Sequence, residues 1–85
     1  MTMLVTVQYF ASVREARGEA SDSIELRDDA DTTVLLSALR AGPLATLDDA
    51  LFDRLLVAVN QSVVSGAVRL NAEDEVALFP PMTGG

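Results

Sequence analysis

The sequence predicts a single α+β domain in which a mixed sheet of about five strands packs on one main helix. Short runs that alternate between apolar and polar residues indicate strands with one buried face. A segment between them repeats its apolar residues at helical spacing and is followed by Gly42–Pro43, a helix stop. The chain has 85 residues, 49% of them hydrophobic. This suffices for one core but not for a deep, enclosed substrate cavity as well.

Composition narrows the possible functions. Six arginines stand against thirteen acidic residues, so the net charge is −7 at pH 7, and there is no Lys, His or Cys. Without Cys and His the chain has no disulfide, no thiol nucleophile, no imidazole base and no zinc site of the usual kind. The negative charge disfavours nucleic acid and anionic membrane surfaces as partners and favours a basic protein. We do not expect a self-sufficient enzyme.

The apolar start of the chain does not predict a membrane segment. Met3–Phe10 is interrupted by Thr6 and Gln8, is too short to span a bilayer, and has neither a basic leader nor a cleavage site of small residues after it. We therefore expect a cytoplasmic protein.

The first third of the chain predicts strand, short helix and strand. Met3–Phe10 alternates with its odd-numbered residues inward, which leaves Phe10 in the solvent-facing phase. Good helix formers follow up to Arg17, and Gly18 suits the C-terminal cap. Ser23–Arg27 alternates again and predicts a second strand paired with the first.

The long helix is predicted next. We interpret the acidic run 28–31 as a solvated loop with helix N-terminal charge rather than a metal site, because the Gly and terminal Glu of a calcium loop are absent. Asp31 or Thr32 is expected to cap the helix, and Gly42–Pro43 to end it. The apolar residues on its inner face are Leu35, Ala38 and Leu39.

A shorter second helix is predicted from Leu44, Leu47 and Leu51, which keep helical spacing, with Thr46 as a possible cap. Leu55–Asn60 is a continuous apolar run, which is typical of a central strand buried on both faces.

Two short strands complete the sheet. Val63–Val64 follows a tight turn, and Glu75–Phe79 follows the polar turn Asn71–Asp74. Alternation places Phe79 on the solvent-facing side, as a second exposed aromatic ring. If the first and last strands lie side by side in mid-sheet, with the long helix across one face, both halves share one core. That arrangement is a β-grasp, here spanning residues 1–79.

Residues 80–85 are predicted to form an extended, exposed tail. Pro80–Pro81 fixes two φ angles and removes two backbone donors, so the strand must end there. Gly84 and Gly85 have no side chains, so the tip is narrow and ends in a carboxylate that could enter another protein's active site. A carboxylate, ionised above about pH 3.5, is a poor electrophile, so a partner must first activate it as an acyl-adenylate. A frayed terminus is the alternative.

Three blocks carry a resemblance to a known family. They are Tyr9–Glu15 (YFASVRE), Ala58–Gln61 (AVNQ) and Asp74–Gly85 (DEVALFPPMTGG). Together they resemble the small, sulfur-carrier subunits of molybdopterin synthase over essentially the whole chain. The resemblance implies a ubiquitin-like β-grasp. A Gly-Gly end is common to all ubiquitin-like carriers, whereas the Phe-Pro-Pro-x-Thr-Gly-Gly end is much more specific.

The resemblance implies that Gly85 is the reactive residue. Its carboxylate would be adenylated with ATP by an E1-like activating enzyme and converted to a thiocarboxylate by a sulfur donor protein, while the chain binds no cofactor or metal. Two copies would insert their tails into the large subunits of a heterotetramer, where the sulfur passes to cyclic pyranopterin monophosphate to build molybdopterin. The residues matching the inserted tail are Pro80, Pro81, Met82, Thr83 and Gly84.

The outward aromatic rings predict a docking surface. Because the first and last strands of a β-grasp are neighbours, Phe10 and Phe79 would lie close together near the exit of the tail. With Val63 they are predicted to form an apolar patch that binds the large subunit and the activating enzyme. Scattered surface apolar residues are the alternative.

Other functions remain open. A carrier that delivers sulfur to thiamine or cysteine assembly has the same tail chemistry. A ubiquitin-like modifier would instead join Gly85 to lysines of target proteins. A plain β-grasp binding module would leave the tail idle.

Overall fold

The computed structural model describes residues 1–81, which form one five-stranded sheet in the order β2-β1-β5-β3-β4. The elements are β1 (Thr2–Tyr9), α1 (Ala11–Arg17), β2 (Ser21–Arg27), α2 (Thr32–Ala41), α3 (Asp49–Asp53), β3 (Leu56–Val59), β4 (Ser62–Val64) and β5 (Glu75–Phe79). β1 and β5 pair in parallel, and the other neighbours are antiparallel. The first and last strands therefore lie side by side within the sheet, which confirms the predicted β-grasp.

The core lies between one face of the sheet and α2. Leu35 and Leu39 of α2 are fully buried and belong to the same cluster as Val76 and Leu78 of β5. The buried residues of β1 are Met3, Val5, Val7 and Tyr9. The inward phases predicted for β1 and β5, and the inner face of α2, are confirmed.

The junction between β1 and α1 is where Phe10 lies. Phe10 has an extended backbone and is the N-cap of α1 rather than the last residue of the strand. α1 ends at Gly18, whose φ of 81° is in the left-handed region and whose N–H donates to the Arg14 carbonyl at 2.9 Å. The predicted glycine cap is confirmed, since this backbone conformation favours a residue without Cβ.

Asp31, not Thr32, caps α2. The Asp31 carboxylate accepts the Val34 N–H at 2.9 Å. Thr32 is buried, and its hydroxyl accepts from the Val68 N–H at 3.0 Å and donates to the Gly66 carbonyl at 3.1 Å. These bonds attach the segment before β5 to the start of α2.

The short helix differs from its prediction. α3 begins at Asp49 and is capped by Asp48, whose carboxylate accepts the Leu51 N–H at 3.3 Å, so the assignment of Thr46 as cap was wrong. Leu44 and Leu47 lie before α3, in turns rather than in a helix, yet both are buried. Turns that return the chain to the core produce the same leucine spacing as a helix.

β3 also differs. It lies between β5 and β4, and Ala58 is its one buried residue. Val57 and Val59 pack against the core cluster on one face, and Ala58 lies on the opposite face. The expectation of full burial on both faces was wrong, because Leu56, Val57 and Val59 are only partly buried, although Ala58 on the second face is buried.

Candidate functional site

The face of the sheet opposite the core, which we call the open face, carries a band of apolar residues. Ladder partners share a face, and the pairs connect Gln8 to Ala77, Ala77 to Ala58 and Ala58 to Val63 in one row across four strands. In the next row toward the end of β5, Phe79 pairs with Leu56. The band thus crosses β5, β3 and β4.

Phe10 and Phe79 meet at one end of this band. The Phe10 N–H donates to the Leu78 carbonyl at 3.1 Å, and Tyr9 is the ladder partner of Leu78. Phe10 and Phe79 are therefore adjacent in backbone position, where the chain leaves β5. Phe10 is 44% exposed, but Phe79 is only partly exposed, less than alternation alone predicts.

Val63 is 63% exposed but lies in a different part of the band. One strand, β3, separates it from β5, so the two strands are about 10 Å apart. Leu56, Ala58 and Ala77 fill the interval between Val63 and the aromatic pair. Sequence reasoning omitted these three residues from the patch, although the unbroken apolar run of β3 indicated apolar side chains on both faces. We define the open-face patch as Phe10, Leu56, Ala58, Val63, Ala77 and Phe79.

A cavity of about 320 Å³ adjoins the open-face patch. Phe10 and Ala77 line both, and the polar lining comes from Gln8, Gln61 and Glu75. Gln8 Nε2 donates to Glu75 Oε1 at 2.9 Å, which holds the carboxylate in place. The apolar band therefore borders a concave site that carries negative charge.

The turn between β3 and β4 forms one wall of this cavity. Asn60 and Gln61 both have positive φ, 51° and 72°, as a two-residue hairpin turn requires. Asn60 Oδ1 accepts the Glu75 N–H at 3.0 Å, and Asn60 Nδ2 donates to Asp74 at 2.9 Å. The turn is thereby fixed to the start of β5.

A charged cluster supports the end of β1 that precedes Phe10. The Tyr9 hydroxyl donates to Asp22 at 2.8 Å, and the Arg17 guanidinium makes two bonds to the same carboxylate, at 2.8 and 3.0 Å. These bonds from Arg17 hold the pKa of Asp22 below its usual range. Burial, then the bond to Asp22, raises the pKa of Tyr9 above that of a free tyrosine. The cluster joins β1, α1 and β2 next to Phe10.

The last strand ends where the sequence predicts, directly before the residues of the predicted tail. β5 ends at Phe79, and Pro80 and Pro81, both partly buried, follow without helix or strand. The remaining predicted tail residues, Met82, Thr83, Gly84 and Gly85, lie outside the described residues. The reactive role of Gly85 therefore stays a prediction.

The described residues offer neither a metal-binding cluster nor a membrane-spanning helix. Within 1–81, no three acidic side chains come together as a group that could hold a metal ion. No helix in the same range is both long enough and apolar enough to cross a membrane.

The parallel pairing of first and last strands, with an apolar open face beside the exit of the C-terminal segment, defines a ubiquitin-like β-grasp protein. The family model described as the ThiS family matches residues 7–85, and the chain belongs to this family.

Comparison with individual proteins agrees with this assignment. The chain is 44% identical over 86 residues to the molybdopterin synthase sulfur carrier subunit of Escherichia coli (strain K12), covering 96% of this chain and 100% of that protein. It is 36% identical over 85 residues to the protein of the same name from Chlamydomonas reinhardtii, covering 98% and 100%. The crystal structure of small archaeal modifier protein 1 from H. volcanii superposes with a TM-score of 0.77 at 27% identity, covering 94% and 99%.

Proposed function

We propose that this chain is the sulfur carrier subunit of a molybdopterin synthase. The observation that carries the proposal is its 44% identity to the Escherichia coli subunit of that name, over the whole length of that protein. The chain performs no catalysis alone. It presents the Gly85 carboxylate to an activating enzyme and then to the large subunit, where sulfur transfer takes place.

The proposed chemistry balances without a base from this chain. The Gly85 carboxylate attacks ATP held by the activating enzyme, forms the acyl-adenylate and releases pyrophosphate. The outer sulfur of a persulfide on a sulfur donor protein then displaces AMP and forms an acyl disulfide. A second thiol cleaves its S–S bond, which leaves the thiocarboxylate and converts the donor thiol and the second thiol to a disulfide. In the complex with the large subunit, this sulfur passes to cyclic pyranopterin monophosphate, and water restores the carboxylate.

The open-face patch is the proposed docking surface for both partners. Phe10 and Val63 are its exposed members, Leu56, Ala77 and Phe79 are partly exposed, and Ala58 is buried between them. Contiguous apolar surface of this kind marks interaction sites. The patch lies beside the last residues of β5, so a partner bound there would be next to Pro80 and Pro81, where the tail departs. Docking and tail insertion would then be one event.

Intact-mass measurement tests the carrier chemistry. The chain is incubated with its activating enzyme, ATP and a sulfur donor, and we expect the mass increase for one oxygen replaced by sulfur. A variant with one residue added after Gly85 is the matched control: it should fold as the wild type does but gain no sulfur. Sulfur transfer by the extended variant would contradict the mechanism.

A protein modifier is the second candidate, because the small archaeal modifier protein 1 from H. volcanii has the same fold at 27% identity. The same mass experiment separates the two, since a modifier yields isopeptide-linked conjugates with target proteins. A carrier for thiamine or cysteine assembly would gain sulfur but would not bind the large subunit of molybdopterin synthase.

A further inference from the structure

The carboxylate of Glu75 has no cationic partner within the described chain. Glu75 is the first residue of β5, is exposed, and lines the 320 Å³ cavity beside the open-face patch. Its Oε1 accepts the bond from Gln8, and none of the three ion pairs among residues 1–81 includes it. All six arginines of the sequence lie within that range, and none lines this cavity.

The other walls of the cavity suit a planar cation. Phe10 supplies an aromatic wall, and guanidinium groups pack on aromatic rings. Gln61 has an exposed side chain and makes no hydrogen bond with residues 1–81, so its amide oxygen is available as an acceptor. It also stands at φ 72°, where glycine is favoured. A residue kept in a strained turn beside a binding surface is a candidate for contact with a ligand.

We propose that this cavity receives an arginine side chain of the protein that docks on the open-face patch. The guanidinium would pair with Glu75 in the fork geometry that carboxylates accept, and would pack on Phe10. This inference rests on the proposed function, in which that partner is the large subunit of molybdopterin synthase. The net charge of −7 favours a positively charged partner surface.

The ion pair between Glu75 and the partner's arginine side chain would define the orientation of the complex. An apolar patch supplies affinity but is compatible with several rotations of the partner, whereas a charge pair at one edge favours a single register. The Gln8 bond holds Glu75 before the partner arrives, so less ordering is needed on binding. A single register would direct the tail to one entrance on the partner.

Calorimetric titration of the large subunit into the full chain tests the site. We compare the wild type with Glu75→Gln, which keeps the size of the side chain and an acceptor for Gln8. The control is Glu25→Gln, because Glu25 is exposed on the same sheet face, pairs with Leu4 on β1 and lines none of the described cavities. Both variants change the net charge equally.

We expect Glu75→Gln to weaken binding by at least about tenfold and to flatten its salt dependence, and Glu25→Gln to change affinity by less than about twofold. Gln61→Arg is a second variant, on an exposed turn, that places a cation from the chain itself in the cavity. It should weaken binding as well.

The outcomes separate this site from the proposed function. If the wild type binds and both Glu75→Gln and Gln61→Arg bind as tightly, the arginine site is wrong and the carrier function stands. If the wild type fails to bind the large subunit, the proposed function fails and the site with it. A structure of the complex with a partner arginine against Glu75 supports the proposal, and any other group there overturns it.

Discussion

The backbone N–H of Phe10 donates to the carbonyl oxygen of Leu78 across 3.1 Å, which joins the start of α1 to the end of β5. This bond continues the parallel pairing of β1 and β5 beyond the last residue of β1. It places one exposed aromatic residue beside the point where the chain leaves the sheet. The base of the proposed tail and one end of the docking surface are thus held by the same backbone contact.

The open-face patch predicts a large effect of charge at Val63. Val63→Asp should weaken binding of the large subunit by about 2 kcal/mol or more, because an ionised side chain would have to be desolvated in an apolar contact. Val63 is 63% exposed, so the folded chain should tolerate the change. Phe79→Asp should weaken binding at least as much, but Phe79 is partly buried and its variant needs a stability measurement beside it.

Leu4→Asp is the matched control for this prediction. Leu4 is 61% exposed on the same sheet face but lies on β1 opposite Glu25, away from the patch. It should change affinity by less than about 0.5 kcal/mol. Calorimetric titration measures the binding free energy of both variants. Equal losses of binding free energy in Val63→Asp and Leu4→Asp would contradict a localised patch.

The Arg17–Asp22 pair predicts an acid-dependent part of stability. Because the bonds from Arg17 lower the pKa of Asp22 in the folded state, its contribution is present above the ordinary aspartate pKa and is lost as pH falls through the lowered value. Asp22→Asn should cost about 1–3 kcal/mol at neutral pH. As the pH is lowered from about 5 to 2, the free energy of unfolding of the Asp22→Asn variant should fall less steeply than that of the wild type.

Urea unfolding at a series of pH values measures this difference. Asp28→Asn is the control, since Asp28 is exposed and its side chain makes no hydrogen bond with residues 1–81. Parallel pH profiles for Asp22→Asn and the wild type would contradict the assignment.

The contacts of Arg40 indicate that its side chain stabilises the segment after α2. Its guanidinium donates to the carbonyls of Leu44 and Leu47 at 3.2 and 2.6 Å, pairs with Asp49 and lies 4.9 Å from the ring centre of Phe52. The ammonium group of a lysine cannot reproduce these contacts, because it lacks the planar set of donors of the guanidinium. Arg40→Lys should therefore cost about 1–3 kcal/mol and increase amide hydrogen exchange across 43–53.

Arg54→Lys is the comparison for Arg40→Lys. Arg54 is exposed and forms none of the ion pairs among residues 1–81, so its replacement should change stability by less than about 0.5 kcal/mol. Exchange in 43–53 that is the same in both variants would show that Arg40 does not hold this segment.

The local part of the fold was predictable from residue pattern. Alternation located β1 and β5 and their buried residues, and cap chemistry located Gly18 and Gly42 at helix ends. These features depend on residues within a few positions of each other. The placement of Thr46 failed because spaced leucines are equally compatible with a helix and with turns that pack on a core.

Residue order alone was enough to identify the strands, the helix α2, the turn residues and the family motifs, because each follows from neighbouring side chains and backbone angles. Strand register across the sheet determined which side chains come together at the candidate site. It placed Leu56 and Ala58 in the patch between Val63 and Phe79, and it brought Gln8 to Glu75, 67 positions apart in the chain. Such contacts form only when distant segments pack together, because the energy that selects them comes from burial shared by the whole sheet.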